Sequence, residues 1–375
     1  MSGWDCDVAV VGVGAAGSAA LYHLARRGAR AIGFDPHPPG HDRGSSHGET
    51  RVIRLAYMEA PDYVPLLRRS FALWAELERA SGRALYTPTG LLQIGPADSK
   101  VLVGAARSAE AHGLELQELS AKEVAQRFPP FRVAADERAV FDPQAGVLAV
   151  EEGIRTHVAL ARRHGAELRQ AAVTGWTPEG EGVRVETAAG PVRARRLVLA
   201  PGGWAPELCR LELPLTLLRK VLLWVPCADA AYRAPRFPVF LCEGPGGVFY
   251  GFPRRGDDPE LKLAEHSGGR PVAHPDALDR GLHPEDSAPV LTYLERSLPG
   301  LERRITRHAV CFYTLTPDEH FALGLHPQHP QVALCAGLSG HGYKFAPLLG
   351  EVLADLALEG ETGHGIAFLD PGRFA

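Results

Sequence analysis

Asp7-Val8-Ala9-Val10-Val11-Gly12-Val13-Gly14-Ala15-Ala16-Gly17 is the stretch on which the fold turns. The apolar run Val8 to Val11 fits a strand buried in a parallel sheet. Gly12 to Gly17 spells GxGxxG, Ser18 to Arg27 continues as a helix, and Gly28 is its stop. Ala31 to Phe34 makes a second strand, ending at Asp35. In such a β-α-β unit the first glycine makes the tight turn and the second lets backbone approach a pyrophosphate. The third lets the helix pack on the strand, and the helix N-terminus faces the phosphates. Asp35 stands where a carboxylate would accept hydrogen bonds from a ribose. Gly12, Gly14, Gly17 and Asp35 therefore read as a dinucleotide site. The fingerprint does not separate NAD from FAD, and a glycine-rich turn without a ligand is the plainer alternative.

The chain has 375 residues, enough for about two domains. Its 45% hydrophobic and 22% charged content is ordinary for a soluble enzyme. A formal net charge of −4 gives no reason to expect nucleic acid or an anionic membrane as partner. The six cysteines contain no CxxC pair and no zinc spacing, so reduced thiols, no metal and a cytoplasmic setting are expected. The apolar run Val8 to Leu24 lacks a basic flank and is broken by functional glycines. It is read neither as an export signal nor as a membrane span.

Further along, Tyr63 to Ser81, Lys100 to His112 and Ile154 to His164 have helical periodicity. Strands follow over Glu167 to Val173, Gly182 to Thr187 and Val192 to Ala200, which would form a meander. Leu213 to Val225 and Pro238 to Phe252 fit a second sheet, with a hairpin turn at Gly244-Pro245-Gly246-Gly247. Gly256 to Ser287 is polar and proline-rich apart from Leu261-Lys262-Leu263. Val332 to Ala336 is a last strand and Pro347 to Leu358 a last helix.

Four motifs carry chemistry. Arg51 and Arg54 lie three apart, and on a helical turn both forks would face one way, as a carboxylate clamp requires; a surface ion pair is the alternative. Lys262 sits in an apolar strand stub, either facing a cofactor or guarding a sheet edge. Cys311, between Val310 and Phe312, would share a strand face with Tyr313; by composition it is a core cysteine. Lys344, in Gly342-Tyr343-Lys344-Phe345 at a helix start, favours an anion, unless it snorkels to solvent. Tyr250, His266 and Tyr313 are pocket candidates by position.

Taken together, Gly44 to Arg54, Lys262, Cys311 to Phe321 and Gly337 to Pro347 resemble the monomeric sarcosine oxidase and N-methyltryptophan oxidase family, in the same order over nearly the whole chain. The resemblance implies a two-domain α/β flavoprotein of the D-amino acid oxidase type. A Rossmann-like FAD domain would comprise 1–85, 142–212 and 312–375, and a mixed-sheet substrate domain 86–141 and 213–311. It implies FAD joined to Cys311 through an 8α thioether, with cofactor contacts from Ser45, Thr50, Gly340, Gly342 and Lys344. Arg54 and Lys344 would hold the substrate carboxylate, and Tyr250, His266 and Tyr313 would line the amine side. Lys262 would promote oxygen reduction, with His47 and Arg51 against the flavin ring. Leu241 stands where sarcosine oxidases place a methionine, Ser46 where relatives often have histidine, and Glu49 where they often have aspartate. Leu218 to Val221 and Leu261 to Gly269 look closer to N-methyltryptophan oxidase.

The activity so implied is oxidation of an N-methyl amino acid to an imine, then to formaldehyde and the primary amino acid, with O2 reduced to H2O2 by a monomer. A site free of carboxylates is expected, because the amine must be neutral to be oxidised. Oxidation of a cyclic imino acid such as proline or pipecolate, an amine dehydrogenase, and a non-catalytic dinucleotide-binding module are the rival readings.

Overall fold

The computed structural model describes residues 3–374, so residues 1, 2 and 375 of the expected segments lie outside it. Cys6–Val11 is almost wholly buried because it lies inside a parallel sheet covered on both faces. The strand order is Glu167–Gln170, Ala31–Asp35, Cys6–Val11, Val192–Leu199, His329–Ala336 and Ala322–His326, all parallel but the last. Helices Ala15–Arg26, Tyr63–Ser81, Val150–Arg163 and Ala346–Glu359 bury one apolar core against it. A Cβ on Gly350 would lie 2.4 Å from the backbone of Ala19, so the first and last helices touch through main chain.

The expected meander starts later than its pattern suggests. The strand from Glu167 stops at Gln170, paired with Ala31–Asp35. Ala171 then bonds back to Arg169 and the chain changes partner. A separate strand, Val173–Glu179, forms the hairpin with Gly182–Thr187, anchored by buried Trp176 donating to the Leu208 carbonyl at 2.7 Å. Pro178 masked this strand in the sequence, yet it is tolerated in a hairpin strand that pairs on one side only.

Among the described residues the second sheet has nine strands. Thr216–Pro226 is its spine, and its residues 216–224 pair with the whole of Arg307–Leu315 on one side. On the other it pairs with Arg270–Val272 and Glu260–Glu265. Gly247–Gly251, Val239–Gly244, Leu91–Pro96, Glu137–Asp142 and Gln117–Leu119 extend the sheet. The expected boundary at 311/312 therefore falls inside one continuous strand. One face is covered by helix Pro284–Ser297, whose Tyr293 stacks on Phe249 at 4.8 Å. The proline-rich sequence hid the start of this helix. Pro284 stands in the first turn, where no N–H is required, and His283 with Asp286 forms a capping box.

The opposite face is set by register. Leu241 opposes Tyr250, Tyr250 opposes Ala264, Trp224 opposes Lys262, Lys220 opposes Cys311, and Leu218 opposes Tyr313. Period-2 alternation puts these side chains on one surface, turned toward the first sheet. A three-stranded sheet, Thr50–Ile53, Gly146–Ala149 and Tyr86–Pro88, completes the fold. Arg51 is thus in a strand, not on the expected helical turn.

Candidate active site

Gly12 has φ +82°, and a Cβ there would lie 2.4 Å from the Ala200 carbonyl oxygen. At Gly17 it would lie 1.8 Å from the Gly12 carbonyl oxygen, whereas nothing lies within 4 Å of one at Gly14. Two glycines thus serve close packing and the middle one leaves open space at an uncapped helix N-terminus. Asp35 accepts from Val13 N–H at 2.9 Å and His37 N–H at 3.0 Å, and faces His41 Nε2 at 3.4 Å. Burial pushes its carboxyl up, but these partners outweigh that and hold it below the usual range.

A cavity of about 490 Å³ runs from this cradle to the loop 337–342. Gly12, Gly14 and Asp35 line one end, Ser45 and Arg51 the middle, and Tyr313, Gly340 and Gly342 the other. Gly340 has φ +78°, and a Cβ there would meet the Tyr313 ring at 2.4 Å, so backbone and ring wall the cavity together. Arg51 donates to the Thr50 and Ser45 carbonyls, each at 2.9 Å, and not to a carboxylate.

A second cavity, about 60 Å³, adjoins the first at Arg51, Tyr313 and Gly340. Arg54, Lys344, Tyr250, His266 and Leu241 line it together. Lys344 is buried, not snorkelling. Its Nζ donates to the His341 carbonyl at 2.7 Å and lies 5.1 Å from the Tyr57 ring centroid. Its own carbonyl accepts from Ser70 and from Trp74 at 3.0 Å, which fixes the lysine at the cavity wall. Burial lowers its pKa to about 7, Glu59 opposing and Arg54 adding to the fall. His266 pairs with the Tyr313 hydroxyl at 3.3 Å, and burial takes its pKa down to about 3, so the ring is neutral.

One expectation fails here: the site is not free of carboxylates. Glu59 lines the small cavity and binds Arg54 Nη2 through both oxygens, at 2.9 and 3.0 Å. Burial opposes its ionisation, but Arg54 first, then His341 and Lys344, bring its pKa down to about 2. Nothing in Leu55-Ala56-Tyr57-Met58-Glu59 marks this carboxylate as internal. His341 was also passed over. It bonds the Tyr57 hydroxyl through Nδ1 at 2.6 Å and the Glu319 carbonyl through Nε2 at 2.9 Å.

Behind the cavities lie Lys262, Thr50, His47 and Cys311. Strand Glu260–Glu265 is internal, so Lys262 is no edge guard. Its Nζ donates to the Gly48 carbonyl at 2.5 Å, the Thr50 carbonyl at 2.9 Å and the Thr50 hydroxyl at 3.1 Å. Burial, then Arg51, lowers its pKa. The accepting turn is held in place by Glu151, which accepts from Gly48 N–H at 2.7 Å and Glu49 N–H at 3.1 Å. His47 is buried with Nε2 unpartnered, and burial pushes its pKa to about 4. Cys311 is 1% exposed and packs with Leu222, Trp224 and Ala264. Burial raises its pKa, against the pull of Arg51, Lys262 and Lys220.

Residues 7–356 match the FAD dependent oxidoreductase (DAO) family. The chain belongs to that family. It is 42% identical to the monomeric sarcosine oxidase of Streptomyces avermitilis, covering 98% of each chain. It is 38% identical to the N-methyl-L-tryptophan oxidase of Salmonella arizonae, covering 98% of this chain and 99% of that one. NikD, an amino acid oxidase of nikkomycin biosynthesis, superposes with a TM-score of 0.88 at 27% identity, over 98% of this chain and 97% of that one.

The residues present fit the FAD of the family. The Gly14 opening, the large cavity linking both glycine loops and the carboxylate-free Arg51 suit an extended, negatively charged dinucleotide. Gly12, Gly14 and Asp35 would hold its diphosphate and ribose side, and Ser45, Arg51, Gly340 and Gly342 would border its ring. Gly17, Thr50, His47 and Lys262 do not line either cavity and would act from the next layer; Cys311 lines neither cavity but adjoins Phe312 and Tyr313, which line the large one.

Proposed function

We propose that this protein is an FAD-dependent oxidase of N-methyl amino acids, acting on a small secondary amine that carries a carboxylate. The observation that carries this reading is the pair of cations, Arg54 and Lys344, in a small cavity beside the cofactor cavity, which Tyr250, Tyr313 and His266 also line. FAD, when bound, accepts the two electrons of amine oxidation and delivers them to O2. Lys344 and Arg54 hold the carboxylate by charge-assisted hydrogen bonds. Tyr250, Tyr313 and the neutral His266 ring border the amine without a charge that would repel it or retain its proton. Lys262, fixed by three oxygen acceptors, supplies positive charge where oxygen reduction develops negative charge.

The small cavity, narrowed by Met58 and Leu241, favours sarcosine-sized substrates over indole-bearing ones. In the same reading Cys311 carries the flavin through an 8α thioether. The first sheet and its helices hold the cofactor, and the nine-stranded sheet covers the substrate. A cytoplasmic, monomeric chain belongs to this reading; among the described residues no helix is long and apolar enough to cross a membrane.

The test is anaerobic mixing of the purified yellow protein with sarcosine, N-methyl-L-tryptophan and L-proline, followed by air. Bleaching by sarcosine, with formaldehyde and H2O2 formed in air, is the expected result. A flavin that none of the three amines bleaches would overturn it.

A further inference from the structure

Strand Arg307–Leu315 pairs with Thr216–Pro226 on one edge only. Alternate carbonyls of a strand point to the same edge, and on the open edge three of them are taken by three different loops. The Val310 carbonyl accepts from Arg280 Nη1 at 3.4 Å, the Phe312 carbonyl from Ser45 Oγ at 2.7 Å, and the Thr314 carbonyl from Ser339 N–H at 2.9 Å. Two of these contacts flank Cys311.

Arg280 reaches further. Its Nη1 also donates to the Asp42 carbonyl at 2.9 Å and its Nη2 to the Arg43 carbonyl at 3.4 Å, while its own carbonyl pairs with His308 Nε2 at 3.2 Å. Asp42 and Arg43 belong to the loop whose His41, Gly44 and Ser45 line the cofactor cavity. One guanidinium therefore ties the cofactor loop to the residue before Cys311, and one hydroxyl ties it to the residue after. A planar fork with several donors suits this task better than an ammonium.

We infer that Arg280, with Ser45, laces the cofactor loop to the open edge of this strand and so sets Cys311 for bond formation; Arg280 is a positioning residue for covalent flavin attachment. The inference rests on the thioether proposed above. Attachment breaks the S–H bond of Cys311 and one C–H bond of the flavin 8α-methyl group and forms the C–S bond. Two electrons and two protons then reside on the ring, and O2 removes them as H2O2. Cys311 must meet a carbon fixed by the other side of the cavity, and a displacement of about 1 Å can cost such a reaction about a hundredfold.

The experiment uses full-length apoprotein, FAD and air, with flavin in the acid-precipitated pellet followed in time. FAD affinity is measured separately in the Cys311→Ala background, with and without Arg280→Met. The expected result is that Arg280→Met leaves FAD affinity unchanged and slows attachment about tenfold or more, with Arg280→Lys between. Attachment by Arg280→Met at the wild-type rate would overturn the inference alone, as would a slowing fully explained by weaker FAD binding. A wild-type pellet without flavin would instead remove the thioether and this inference with it. Should Arg280→Met not fold, Arg280→Lys decides by the same criterion.

Discussion

Arg54 gives both oxygens of Glu59 a hydrogen bond from a single nitrogen, Nη2, inside the cavity where a substrate carboxylate would dock. The guanidinium is 3% exposed, lies 4.8 Å from the Tyr57 ring centroid, and keeps Nε without a partner. The internal anion and an incoming carboxylate therefore compete for one cation. Replacing Glu59 by glutamine removes the competing charge while keeping the shape. Acetate, a carboxylate that cannot be oxidised, should bind Glu59→Gln about three- to tenfold more tightly, read from flavin difference spectra. The bare protein should lose about 3 kcal/mol of stability, because a buried cation is left unpaired. Unchanged acetate affinity would mean that Arg54 does not meet the carboxylate.

Lys344 predicts a pH dependence of binding. Burial lowers its pKa to about 7, so in the empty site it loses its proton as pH rises through neutrality. Acetate affinity should be flat below pH 7 and weaken about tenfold per pH unit above it, since each bound anion must be matched by a proton taken up. Lys344→Met should weaken binding by about 2 kcal/mol, the usual worth of a charged hydrogen bond, and abolish the slope. A slope that survives in Lys344→Met would assign it to another group.

How much of this was legible beforehand depended on whether the signal was local. Gly12, Gly14, Gly17 and Asp35 were readable because turn, helix and strand adjoin in sequence, and Cys311 and Tyr313 because strand alternation is local. Arg51 was given the wrong backbone. Its strand exists only through pairing with Gly146–Ala149, nearly a hundred residues on. Glu59, Glu151 and Arg280 were missed for the same reason: each earns its meaning from a partner brought by the fold, and a lone carboxylate or arginine carries no mark of burial.

Gln93 was equally silent, and the structure gives it a cost. It is fully buried opposite Leu241, and neither amide atom has a hydrogen-bond partner. A buried amide left unpaired costs about 1–3 kcal/mol. Gln93→Met keeps the volume and removes the polar atoms, so it should stabilise the protein and raise Tm by about 2–4 °C. Gln93→Ala, which removes the amide but leaves a void, should lower Tm. A lower Tm for Gln93→Met would show that the amide has a bonded partner, such as internal water.

Acid stability follows from two histidines remote from both cavities. His23 and His157 are each 1% exposed, meet across Tyr22, and keep His23 Nδ1 and His157 Nε2 unpartnered. Burial drives their pKa values to about 4 and about 3, from 6.5 for an ordinary histidine. The folded pKa is depressed, so stability is full above pH 6.5. As pH falls, the unfolded chain takes up protons that the native state refuses. Between pH 7 and pH 5 each histidine should cost about 2 kcal/mol of unfolding free energy. Urea unfolding at the two pH values measures the loss, and His157→Leu should recover about half of what the pair contributes. If His157→Leu loses as much stability on acidification as the wild type, His157 is already protonated in the folded protein and has a partner that these contacts do not show.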